Sequence, residues 1–243
     1  MRSPRIHVDD ELLQGQIITL PPEASHYLVQ VLRLKAGDSV RPFNATNGEH
    51  VAAIHTPNRK KSTLIIGEQT VASDVAALQV SLGLGLSKGD RFDFAIQKAT
   101  ELGVTSITPL TTQFSEVKFS SDERKAKKLL HWQKIAISAA EQSGRLSVPT
   151  VHSPIALETW TKDASEETLL ILSPRATSGF AAVKKSTSVA LLVGPEGGFS
   201  SEEESIAERH GFQGVELGRR ILRTETAPLA ALAILQFMMG DLA

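Results

Sequence analysis

Residues able to do chemistry gather in three short segments of the C-terminal half. Leu172-Ser173-Pro174-Arg175 follows the apolar run TLLI, and Gly194-Pro195-Glu196-Gly197-Gly198 follows VALLV. Leu217-Gly218-Arg219-Arg220-Ile221-Leu222-Arg223-Thr224-Glu225-Thr226 follows GVE and precedes an apolar stretch. A strand that runs into Gly-Pro-Glu-Gly-Gly continues neither as sheet nor as helix. Its glycines let main chain approach a ligand closely, and the helix signalled after Phe199-Ser200 offers free N–H groups. A plain strand-to-helix turn would need only one glycine. In the third segment Thr224 or Thr226 can cap the following helix. Capping leaves Arg223 and Glu225 without a reason to stand there.

Other chemistries are excluded by pattern. There is no G-x-x-x-x-G-K-[ST] and no G-x-S-x-G, and the seven histidines form no H-E-x-x-H pair. Gly83-Leu84-Gly85 is followed by Gly89, which misses the G-x-G-x-x-G spacing by one residue. The chain has no cysteine. That excludes a thiolate nucleophile, a disulfide framework, an iron–sulfur cluster and a thiolate zinc site, so no metal is expected. It also fits a reducing compartment. A net charge of −1 over 243 residues opposes a strongly basic coat but allows local patches. Arg59-Lys60-Lys61, Arg124-Lys125-Lys127-Lys128 and Arg219-Arg220-Arg223 are the candidates. The simple reading of the first two is a solvated surface.

Two rhythms organise the elements around these segments. Up to about residue 72 the chain is β-rich, with strands expected at RIHV, QIITL, DSVRPF, HVAAIHT and STLIIG. A helix opened by Pro21-Pro22 interrupts them, with Tyr27, Leu28, Val31 and Leu32 at helical spacing. Five short strands and a helix suggest a small closed or half-closed barrel. VASDVAA (71–77) then reads as a linker. Beyond it, LQVSLGLGL, SITPL, TLLILS, VALLVG and GVEL alternate with helical patterns. DRFDFAIQKATELG places Phe92, Ala95, Ile96, Ala99 and Leu102 on one face and stops at Gly103. KLLHWQKIAISAAEQSGR, SEEESIAERHG and ETAPLAALAILQFMM are the other helices, with Pro228 tolerated in the first turn of the last. Alternating strands and helices imply a doubly wound α/β parallel sheet whose ligand site lies beyond the strands' carboxyl ends. All three chemistry-bearing segments fall there. The N-terminus has no apolar signal region and no run approaches the ~20 residues of a membrane span, so a soluble, cytoplasmic chain is expected.

LSKGDRFDFAIQKATELGV, WQKIAISAAEQSGR, LLVGPEGGFSSEE and LGRRILRTETA closely resemble the RsmE family. These are SPOUT-class methyltransferases that act on N3 of a uridine in small-subunit ribosomal RNA. PRIHV and SHYLVQVLRLKAGD look like the family's N-terminal PUA-like barrel, so the likeness spans the chain. The motifs in order are highly specific, whereas GPEGG alone is shared in variant form by related SPOUT enzymes. The resemblance implies an RNA-docking PUA-like β-barrel over residues 1–72. It implies a SPOUT-type parallel sheet with a C-terminal trefoil knot over residues 73–243, and a homodimer. Nothing in the periodicity points to a knot.

The resemblance further implies S-adenosyl-L-methionine (SAM) as cofactor, bound by the three segments. Leu172, Ser173, Pro174, Gly194, Pro195, Gly197, Leu217, Gly218, Ile221, Leu222 and Thr226 would supply an apolar wall and main-chain contacts. Glu196 would bind ribose hydroxyls or else shield a neighbouring arginine. The uracil N3 proton must leave, and the resulting anion, spread over O2 and O4, wants a cation; Arg223 is placed for that role. Glu225 and Glu141 are candidate bases, provided burial raises the pKa of the one that serves. Arg5, Arg33, Arg59 and Arg145 are candidate phosphate contacts on ribosomal RNA, recognised by shape within the assembled small subunit. Ribose 2′-O methylation and a non-catalytic RNA-binding relative are the alternatives. The intact GPEGG and RILRTETA motifs weigh against the second.

Overall fold

The computed structural model describes residues 3–73, 76–117 and 119–242. Asp74 and Val75 of the expected linker, and the first two residues of the chain, lie outside the described residues. The chain forms two compact units: Met1–Val75 with Ala140–Val148, and Ala76–Ala139 with Pro149–Ala243.

The first unit holds β1 (Arg5–His7), β2 (Ile17–Thr19), β3 (Ser39–Asn44), β4 (Gly48–Thr56) and β5 (Thr63–Val71) in the order β1-β3-β4-β5-β2. β1 runs parallel to β3, and the remaining pairs are antiparallel. In the apolar run of β5, Leu64 and Ile66 face the core while Ile65 faces out, as the two-residue period of a strand requires. Ile6, Val8, Ile18, Val40 and Ile54 complete that core.

The helix of this unit departs from its expected form. α1 covers only Pro22–His26 and then widens into a π-helical turn over Tyr27–Val31. Leu32 N–H bonds to Tyr27 O and Leu34 N–H to Leu28 O, and Arg33 ends the turn in the left-handed region at φ 57°. The wider turn breaks the helical spacing. Leu28 is fully buried while Tyr27, Val31 and Leu32 stay exposed.

A buried ionic clasp ties β1 into this unit. Glu49 is 2% exposed, and its carboxylate accepts from Arg5 Nε at 2.5 Å and Arg41 Nε at 2.7 Å. Arg5 Nη1 donates to the carbonyls of Ala140 and Glu141, Nη2 donates to that of Arg145, and the guanidinium lies over the Phe43 ring. Arg5 is therefore not a phosphate contact: its side chain is 9% exposed and each of its nitrogens is engaged. Glu141 belongs to the same cluster, its Oε1 accepting the His7 N–H at 3.2 Å. Burial raises its pKa, against the lowering effects of the His7 hydrogen bond and of Arg5.

The second unit is a seven-stranded parallel sheet. Its strands are β6 (Gln79–Gly85), β7 (Ser106–Thr111), β8 (Thr150–Val151), β9 (Ile155–Ala156), β10 (Thr168–Leu172), β11 (Ser188–Val193) and β12 (Gln213–Val215). The order is β12-β10-β11-β6-β7-β8, with β9 also pairing β7. β11 is buried from Val189 to Val193, the near-continuous apolar run of a strand covered on both faces. The helices are α2 (Asp90–Glu101), α3 (Asp122–Ser143, of this unit as far as Ala139), α4 (Leu157–Asp163), α5 (Ser201–Arg209) and α6 (Ala227–Met239). α2 buries Phe92, Ala95, Ile96 and Ala99, and Gly103 follows it at φ 84°. Beside Phe92, Asp93 accepts from Trp132 Nε1 of α3 at 3.1 Å, and Lys128 pairs with the same carboxylate.

Burial disfavours the charge on Glu49, but the hydrogen bonds and charges of Arg5 and Arg41 outweigh it and hold the pKa below its ordinary 4.5. A carboxylate lowered in this way contributes stability that is present above that ordinary value. The contribution is lost as pH falls through the depressed one. Replacing Glu49 with Gln leaves Arg5 buried without a counter-charge and is expected to cost about 3–5 kcal/mol at pH 7. Urea unfolding at a series of pH values should show the gap between the two proteins narrowing below about pH 4.5.

Candidate functional site

The carboxyl ends of β10, β11 and β12 open onto one cavity of about 740 Å³ within the second unit. Leu172, Ser173, Pro174, Gly194, Pro195, Glu196, Leu217, Gly218, Ile221 and Leu222 line it, together with Arg223 and Glu225. Two expected residues do not. Gly197 turns against Phe114, where a Cβ would stand 2.7 Å from the Phe114 Cβ. Thr226 is exposed, and its main-chain N–H closes a turn on Arg223 O at 2.8 Å. Glu141, expected as a base, is held in the clasp of the first unit and is no part of this lining.

Each segment is held by contacts that its sequence encodes. After β10, Ser173 Oγ donates to Glu204 Oε1 at 2.9 Å, and Arg175 reaches Glu204 Oε2 at 3.2 Å. The first turn of α5 thus anchors the 173–175 loop. After β11, the main chain of Gly194 and Pro195 lies directly on Gly85 of β6. A Cβ there would stand 2.4 Å from Pro195 N. Gly198, at φ 70°, returns the chain by donating its N–H to Pro195 O at 2.9 Å. α5 then starts on a capping box: Ser200 Oγ accepts the Glu203 N–H, and Glu203 accepts the Ser200 N–H. The other Glu203 oxygen takes the Gln113 N–H at 2.7 Å. After β12, Gly218 turns at φ 79°. Neither threonine caps α6. Thr226 makes no cap hydrogen bond, and Thr224 Oγ1 instead reaches Gly194 O at 3.5 Å, joining the second and third segments.

The charges of the lining fall into pairs. Arg91 Nη1 sits 3.2 Å from Glu196, so the carboxylate expected on ribose hydroxyls or on an arginine holds an arginine in this structure. Arg223 Nη1 lies 4.0 Å from Glu225 Oε1 and is 80% exposed. Glu225 Oε2 is buried with no hydrogen-bond partner. The expected site residues omitted Arg91 and Glu204, although both sit in segments already singled out, KGDRF and SEEE. Their distance from the strand ends in sequence hid them. Among the described residues no group of three side chains is arranged to hold a metal ion, and no helix is long and apolar enough to cross a membrane.

The family model for an RNA methyltransferase domain matches residues 75–236, and that for an RNA methyltransferase PUA domain matches residues 20–67. Ribosomal RNA small subunit methyltransferase E of Buchnera aphidicola subsp. Schizaphis graminum is 38% identical, covering 99% of this chain and 98% of that protein. The chain belongs to the ribosomal RNA small subunit methyltransferase E family. The Bacillus subtilis member is 32% identical over 93% of this chain and 94% of its own. Two solved structures share the whole fold. A Legionella pneumophila methyltransferase with the bound cofactor SAM superposes with a TM-score of 0.94 at 38% identity, covering 99% of this chain and 100% of that one. The Neisseria gonorrhoeae family member bound to S-adenosyl methionine gives 0.91 at 36% identity, covering each chain fully. The α/β parallel sheet and the PUA-like N-terminal domain are thus features of the family as well as of this chain.

The fit of Gly85 under Pro195 supplies a test of how the site is built. Gly85→Ala is expected to lower stability by about 1–3 kcal/mol, the cost of forcing a methyl group into a filled position. Thermal unfolding of the two proteins measures it.

Proposed function

We propose that this family member transfers the methyl group of SAM to N3 of a uridine in 16S ribosomal RNA of the small subunit. The observation that carries the reading is the convergence of three strand-end segments on one cavity, in a chain whose family structures hold SAM. The cavity suits the cofactor. It has an apolar wall from Leu217 and Leu222, main chain free of side chains at Gly194 and Gly218, and a buried carboxylate oxygen lacking a donor. When bound, SAM supplies an electrophilic methyl group on a sulfonium sulfur. The chain's own part is to position the reactants and to stabilise charge.

Arg223 is the residue for the second task. Its guanidinium is exposed at the rim and tied only loosely to Glu225, so it is free to pair with the negative charge that develops on O2 and O4 of the deprotonated uracil. In this reading residues 73–243 form a trefoil knot, and the Thr224 contact to Gly194 O joins its second and third segments. In the same reading the enzyme works as a homodimer in the cytoplasm, and the PUA-like residues 1–72 dock the RNA. Arg59 serves there with Lys60 and Lys61 on an exposed turn. Asn58 shapes that turn by accepting the N–H groups of both lysines. Arg33, exposed beside the π-helical turn, and Arg145 are further phosphate contacts.

Transfer of labelled methyl from SAM to undermethylated small subunits, followed by digestion and mass spectrometry of the nucleosides, tests the function. Label in 3-methyluridine is the expected result, whereas label in a 2′-O-methyl nucleoside overturns the assignment to N3. Arg223→Ala is expected to slow transfer by about 10²–10³-fold while SAM still binds. Unchanged turnover would remove Arg223 from the reaction.

A further inference from the structure

Glu225 is the one cavity carboxylate whose oxygen is buried without a partner among the described residues. Of the other lining carboxylates, Glu196 holds Arg91, Glu204 holds both Ser173 and Arg175, and Glu216, whose main chain bridges to Gly179, has no oxygen that is buried and unpartnered. Glu225 has only the loose contact of Arg223, 4.0 Å from Oε1, and that arginine is 80% exposed. Its Oε2 receives no hydrogen bond at all. A carboxylate only 18% exposed and this loosely paired favours a cation that also donates a hydrogen bond. The start of α6 two residues later favours negative charge at this point but sends no N–H to Oε2. The main chain on either side of Glu225 is also fixed in place. Thr224 reaches Gly194 O on one side of it, and the Thr226 and Ala227 N–H groups close on Arg223 O on the other. Glu225 thus stands at the junction of the second and third segments and lines the cavity, with its carboxylate tied only to Arg223 at 4.0 Å.

We infer that Glu225 binds the α-ammonium group of the cofactor's methionine moiety. The inference rests on the reading of the cavity as a SAM site. SAM carries two positive centres, the sulfonium and the ammonium, and only the ammonium bears N–H donors. Adenine and ribose offer donors without charge, which would give the carboxylate a hydrogen bond but leave it unneutralised. Glu225 therefore selects ligands that retain the amino-acid tail, and it acts in cofactor binding in place of the proton transfer its position first suggested.

Calorimetric titration of the protein and of E225Q with three ligands separates the readings. SAM has ammonium and sulfonium, S-adenosylhomocysteine has the ammonium alone, and methylthioadenosine has neither. E225Q is expected to bind SAM and S-adenosylhomocysteine at least tenfold more weakly, by similar factors, with methylthioadenosine unaffected. E225D, which keeps the charge, is expected to recover part of the loss. Undiminished SAM binding by E225Q overturns the inference, and a simultaneous fall in turnover would then move Glu225 to the RNA. Loss confined to SAM also overturns it, since the contact would be with the sulfonium. Loss shared by methylthioadenosine overturns it by making Glu225 a support of the pocket wall. If the unaltered protein binds none of the three, the SAM reading itself falls.

Discussion

Pro195 rests on the main chain of Gly85 at a separation that admits no side chain on the strand below. β6 and β11 are adjacent, parallel and buried, so their ends are fixed together by the packed core beneath them. The close approach then decides where the chain goes after β11. It folds over the end of β6, and Gly198 turns it back through a bond to Pro195 O. α5 begins three residues later on its own capping box, in a position where Glu204 can hold Ser173 and Arg175 of the neighbouring strand end. The third segment meets the second at Gly194. The shape of the cavity thus starts from one contact that leaves no room for a side chain on Gly85.

The ion pairs around the cavity act through geometry more than through stability. Arg91–Glu196 and Arg175–Glu204 are partly exposed, and pairs of that kind contribute little to folding. What they provide is direction. Each carboxylate fastens a loop or keeps an arginine from wandering over the opening. In a chain with a net charge of −1, positive charge near the RNA must be local, and the residues left free to supply it are those not already held by a carboxylate.

Much of this was legible in the sequence where hydrophobic pattern and turn chemistry agree. The runs STLIIG and VALLVG read as strands and are strands, and the stop at Gly103 marks the end of α2. The three segments were visible because a strand that ends in Gly-Pro or Leu-Gly has no regular continuation. The pattern failed where an element is too short to carry a period. β8 and β9 have two residues each, and α4 has seven. It also failed at Tyr27–Val31, where spacing describes a regular helix and the chain adopts a wider one. Arg5 and Glu141 misled for another reason. A charged side chain in sequence reads as surface, and only the fold reveals that Glu49 and a row of carbonyls enclose the first, and that a main-chain N–H holds the second.

The return of Ala140–Val148 to the first unit bears on how such a protein can evolve. A module that is one continuous stretch can be copied, fused or exchanged by a single genetic crossover. The first unit is not one stretch. Arg5 spends its guanidinium on carbonyls supplied 135 to 140 residues later, after the first two strands of the second unit's sheet. A recombination point placed in the segment after β5 would separate the arginine from those carbonyls and leave its charge buried beside Glu49 alone. An exchange that keeps this cluster intact has to bring the 140–148 segment along with residues 1–75.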